Sequence, residues 1–132
     1  RTLVGTPRLR APIPLDGPAT FLGVTQYSQG EMLEVETWWQ ATDGPVERLF
    51  SFTAHLLDQH GTVVGIADGL GVSPVVMAPG DVLVQRHLFP KPADGSELWL
   101  QTGAYWLDTL ERWAVADGSG ADTVFVRLPS SP

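Results

Sequence analysis

The chain has 132 residues and a net charge of −7, with eight lysines and arginines in all, five tryptophans and no cysteine. That length suits one domain, and an apolar content of 43% is enough for a packed core. The acidic balance argues against a nucleic-acid surface, which needs clustered Lys and Arg. The absence of cysteine excludes a disulfide scaffold and thiolate metal sites.

No apolar run approaches the roughly 20 residues of a membrane helix, so the chain is expected to be soluble as given. It opens on "RTLVGTPRLR", with neither a starting Met nor a signal peptide. This reads as a fragment of a longer protein or a processed product. Residues 1–18 carry Pro7, Pro12, Pro14 and Pro18 and read as a Pro-rich arm that resists helix and central strand. Arg1, Arg8 and Arg10 form a small basic cluster there, with a solvated tail as the simplest reading. The domain proper is expected over residues 19–128, with 129–132 ("PSSP") as a tail.

Within it, "TFLGVTQY" (20–27) is the first expected strand. "EMLEVETWWQA" (31–41) is the clearest, with Leu33, Val35, Thr37, Trp39 and Ala41 on one face. "RLFSFTAHLLD" (48–58) puts Phe50, Phe52, Ala54 and Leu56 on one face, and "TVVGIAD" (62–68) returns as a hairpin across "QHG". After a Gly- and Pro-containing loop come "DVLVQRHLF" (81–89) and "SELWLQTGAYWL" (96–107). "RWAVA" (112–116) and "DTVFVRL" (122–128) complete the set, and "LDTLERW" is a candidate helical turn. Eight strands at intervals of about 8–14 residues, separated by Gly, Pro and Asp, predict an all-β fold. The expected class is an antiparallel β-sandwich, immunoglobulin-like or jelly-roll-like.

Few motifs carry catalytic chemistry. The glycines of "GIADGLGVS" lack phosphate-cradle spacing and a following Lys, and no "GxSxG" elbow occurs. His55, His60 and His87 do not assemble the three or four ligands zinc prefers, although His55 and His87 could meet across a face. Calcium at Asp58, Asp68 or Asp81 lacks a calcium-loop spacing, so no cofactor or metal is expected. Glu34 and Glu36 share a strand face and read as solvating groups rather than as a glycosidase pair across a cleft.

The aromatic pattern says more. Neighbours on a strand point to opposite faces, so Trp38 and Trp39 cannot share a core. With Trp39 inside, Trp38 faces outward. The same count turns His55 outward on the next strand, and Trp99, Gln101 and Tyr105 outward on a later one. These five are the candidate ligand-binding residues. Flat rings beside amide, imidazole and hydroxyl groups suit sugars, and they equally suit a protein interface. They suit, as well, a face covered by another segment or domain. A carbohydrate-binding module predicts an open platform with Trp38, Trp99, His55 and Tyr105 together.

Taken in order, "GEMLEVETWWQA", "FTAHLLDQHGTVVGIAD" and "APGDVLVQRHLFP", with "LWLQTGAYWLDTLERW" behind, resemble a β-sandwich module of bacterial membrane proteins. It lies at the C-terminal, extracytoplasmic end of polytopic proteins similar to dolichyl-phosphate-mannose-type glycosyltransferases, common in filamentous phototrophic bacteria. The resemblance covers about residues 21–115. It rests on Gly30, Leu33, Val35, Trp39 and Ala41; on His55, Leu56, Asp58, Gly61 and Asp68; on Gly80, Leu88 and Pro90; and on Gly103, Tyr105, Glu111 and Arg112. Glu31 stands for the usual Asp, Thr53 for an aromatic, and Trp106 where an acid is frequent. The resemblance implies a non-catalytic accessory domain, held outside the cytoplasm by the membrane-embedded part of its parent protein. Its partners would be a glycan or polyprenyl-linked sugar and that membrane-embedded part, with a homodimer as a further arrangement and no nucleic acid.

Overall fold

The computed structural model describes residues 1–5, 8–71, 73–92 and 97–129, with the backbone alone for 8–11. Among them are nine strands: β1 (Thr2–Leu3), β2 (Arg8–Pro14), β3 (Ala19–Gln29), β4 (Met32–Ala41), β5 (Phe50–Leu57), β6 (Val63–Ile66), β7 (Val82–Pro90), β8 (Trp99–Trp106) and β9 (Val124–Arg127). Every pairing is antiparallel. One sheet runs β1-β3-β4-β7, with β2 also on β3; the other runs β6-β5-β8-β9. The two pack face to face as a β-sandwich.

The alternation of β4 sets the first sheet. Leu33, Val35, Thr37, Trp39 and Ala41 all face inward and are buried. A bulge in β3 between Phe21 and Gly23 sets Phe21 opposite Trp39 and Gly23 opposite Trp38. In the second sheet Phe50, Phe52, Ala54 and Leu56 face inward from β5, and Leu100, Thr102 and Ala104 from β8. Trp39 closes the core between them, stacked on Phe52 at 4.2 Å and met edge-on by Phe21 at 5.1 Å.

Two parts differ from the sequence reading. The segment 1–18, read as an arm, carries β1 and β2 along the free edge of β3. An edge accommodates Pro12 and Pro14, whose nitrogens cannot donate to a ladder. Residues 112–116 form no strand; Arg112 and Val115 make isolated bridges to Tyr105 and Leu15. "LDTLERW" makes its single helical turn through residues 107–109, the Leu110 N–H donating to the Trp106 carbonyl at 2.8 Å, and Leu110 at φ 62° ends it. Behind that turn Trp113 is buried against Phe50 and Trp106. Gly17 lies so close that a side chain there would meet the Trp113 ring at 2.4 Å. Ser96 and residues 130–132, at the start of one expected strand and in the expected tail, lie outside the described residues, as do the side chains of Arg8 and Arg10.

His87 ties the sheets at one margin. It points inward from β7, its Nδ1 donating to the Ala67 carbonyl at 2.6 Å and its Nε2 accepting from the Thr37 hydroxyl at 2.9 Å. Burial holds its pKa below the usual imidazole value, against the opposing pull of the Ala67 carbonyl and the Asp68 charge.

Candidate functional site

Directly opposed residues of an antiparallel pair share a face. The register therefore fixes which outward side chains stand together. On the second sheet, Ile66, His55, Gln101 and Phe125 form one row across all four strands. Val63, Leu57, Trp99 and Arg127 form the next. Three inter-strand steps of about 4.8 Å make this surface roughly 14 Å wide.

Three of the five candidates, His55, Trp99 and Gln101, thus share one patch. Tyr105 lies on the same face but four residues along β8 from Gln101, about 13 Å away. Between them the backbone at Asp122 and Thr123 packs over Gly103, where an added Cβ would meet the Asp122 carbonyl at 3.0 Å. Trp38 does not join them, so the expected platform of Trp38, Trp99, His55 and Tyr105 does not form. It belongs to the outer face of the other sheet, on the far side of the sandwich, between Gly23 and Val84. Alternation identified all five as outward but could not say which sheet each strand would enter.

The patch on the second sheet is aromatic and open. Phe125 is 51% exposed and sits diagonally from the half-buried Trp99. With Leu57, Asp58, Gln59 and Gly61 these two rings line a cavity of about 230 Å³. That is smaller than the roughly 300–1,000 Å³ of a drug-sized pocket. Asp58 shapes its rim, one carboxylate oxygen accepting from the backbone N–H groups of His60 at 2.8 Å and Thr62 at 3.0 Å. Gln59 is exposed beside it. His55 Nε2 faces the Asp68 carboxylate at 3.5 Å, and Asp68 accepts from the Ala54 N–H at 2.8 Å. Gln101 donates to the Thr123 hydroxyl at 3.4 Å. Sequence reasoning does not single out Phe125; it faces outward by the alternation of "VFVR", and the sequence signal is the charged Arg127 two positions on, which shares its face.

The opposite outer face is built differently. Trp38 Nε1 donates to the Thr25 hydroxyl at 3.1 Å, which donates to Glu36 at 2.8 Å. Glu34, read as a solvating group, is instead fully buried. Arg86 Nε approaches it at 2.6 Å, and the Arg1 guanidinium pairs with its other oxygen while lying 3.9 Å above the Tyr27 ring. Arg1 is therefore no free tail charge.

His55 and His87 do not meet, since one faces outward and the other lies between the sheets. Among the described residues, no group of three or more His, Asp or Glu side chains could hold a metal ion. No helix of the described residues is long and apolar enough to cross a membrane. No family model matches the chain, and neither a curated protein nor a solved structure matches it.

Proposed function

We propose that this chain is a non-catalytic binding domain that takes carbohydrate on the outer face of the β6-β5-β8-β9 sheet. The supporting observation is the cavity floored by Trp99 and Phe125 and rimmed by Asp58 and Gln59. A pyranose ring has apolar C–H faces and a hydroxyl rim. The first suits the aromatic rings, and the second suits an amide and a carboxylate. The cavity has room for one sugar ring rather than a long chain. His55 and Gln101 continue the polar surface along the next row. The sequence resemblance extends the reading: the domain is an extracytoplasmic accessory module of a membrane glycosyltransferase-like protein, and the sugar is a glycan or polyprenyl-linked product of that parent.

One observation favours a second reading, a structural or protein-interaction module. Val63, Val64 and Ile66 are 46%, 44% and 65% exposed along β6, beside the same patch. Aliphatic side chains at that density suit a protein partner better than a sugar.

A titration with mono- and oligosaccharides, followed by tryptophan fluorescence, separates the two. Carbohydrate binding gives saturable quenching that is lost in Trp99→Ala and kept in Trp38→Ala. A flat response across the panel at millimolar sugar removes the carbohydrate reading and leaves the interaction module.

A further inference from the structure

The other outer face holds a site that the sugar reading does not use. Residues 1–4 lie along the edge of β3 much as a bound peptide would. Thr2 and Leu3 pair with Ser28 and Tyr27, and the Val4 N–H donates to the Gln26 carbonyl at 2.8 Å. Side chains alternate between two destinations. Val4 turns inward and is 3% exposed. Arg1 turns outward onto the Tyr27 ring and pairs with Glu34 and, at 3.6 Å, with Glu36.

Glu34 is the decisive group. A fully buried carboxylate requires cationic or hydrogen-bonding partners. Arg86 supplies one from β7, within the folded sheet. The second comes from a strand of two residues at the sheet margin, ended by Gly5 at φ 67°. Two ladder positions hold a segment weakly, so its place is open to exchange. Strand addition to a sheet edge draws affinity from main-chain hydrogen bonds and specificity from alternate side-chain pockets. Both elements are present here: a backbone edge at Gln26–Ser28, and an acidic, aromatic seat that fits a guanidinium by charge and by cation–π contact.

We propose that the edge of β3, with Tyr27, Glu34 and Glu36, is a binding site for an extended polypeptide segment that carries an arginine and, three residues later, a small aliphatic side chain. Residues 1–4 fill it in cis. A segment of the same pattern from another polypeptide fills it in trans when the cis segment lets go.

The test uses the full chain and a fluorescent peptide, Arg-Thr-Leu-Val-Gly, labelled at its C-terminus and followed by anisotropy. Arg1→Ala combined with Val4→Ser loosens the cis segment. This variant should bind the peptide at least about tenfold more tightly than the unaltered chain, because the site is no longer occupied. Ala-Thr-Leu-Val-Gly should bind far more weakly, and adding Glu36→Gln should weaken binding of the arginine peptide. If the double variant does not fold, as judged by circular dichroism, Arg1→Ala alone carries the same comparison. Equal affinity for both chains, equal affinity for both peptides, or no binding to the loosened variant would overturn the proposal.

Discussion

The two outer faces of the sandwich each present tryptophan, glutamine and charge, yet they have different characters. On the β1-β3-β4-β7 sheet the polar groups are linked to one another in a chain and in ion pairs. Trp38 is bonded through Thr25 to Glu36, and Glu34 lies sealed between Arg1 and Arg86. On the β6-β5-β8-β9 sheet the rings of Trp99 and Phe125 line an open cavity. An outward aromatic is therefore a weak functional signal by itself. What separates the faces is that the Trp38 N–H is bonded into a polar chain while Trp99 and Phe125 line a cavity, and that depends on the register between strands.

The largest effect should come from the core that both faces share. Trp39→Ala should cost about 3–5 kcal/mol, read from denaturant unfolding, because the ring is fully buried and stacked on Phe52. A loss below about 1 kcal/mol would mean that the two sheets are not joined through this ring. Next is the sealed face. Glu34→Ala should cost about 1–3 kcal/mol, less than a fully buried pair, because Arg1 and Arg86 stay partly exposed and can hydrate. The corresponding change on the open face, Trp99→Ala, should cost about 1 kcal/mol or less while removing the sugar response.

Acid provides a third way to sharpen the contrast. Burial lowers the pKa of His87, so the folded state disfavours the imidazolium that the unfolded chain accepts. Below the unfolded value of about 6.5 the unfolded state binds more protons, and stability falls as the pH drops toward the folded value. The slope should approach about 1.4 kcal/mol per pH unit within that window. Unfolding midpoints measured from pH 7.5 down to 5 should show this slope, and His87→Gln should flatten it. The smallest effect on binding belongs to Trp38→Phe, which removes one hydrogen bond, about 0.5–1.5 kcal/mol of stability, and should leave sugar quenching unchanged.

Much of this architecture was legible in the sequence. Strict alternation in "EVETWWQA" assigned Trp39 to the core and Trp38 outward. The same period placed His55, Trp99 and Gln101 on an outer face. What period 2 cannot encode is which sheet a strand joins, so Trp38 was grouped with residues on the far side of the sandwich. The burial of Glu34 was also hidden, because its partners Arg1 and Arg86 come from β1 and β7 and meet it only through topology. Trp113 read as part of a strand because "RWAVA" alternates. The left-handed turn at Leu110 and the close approach of Gly17 make it a core plug instead. The edge strands in residues 1–18 were masked by their prolines, which argue against a central strand but not against an edge.

The most direct test of the central claim is a two-dimensional ¹H–¹⁵N spectrum of the labelled chain, recorded during sugar titration and read at the tryptophan indole N–H signals. The Trp99 signal should move saturably and the Trp38 signal should stay in place. Movement at Trp38 with Trp99 unchanged, or no movement at either, would contradict that claim.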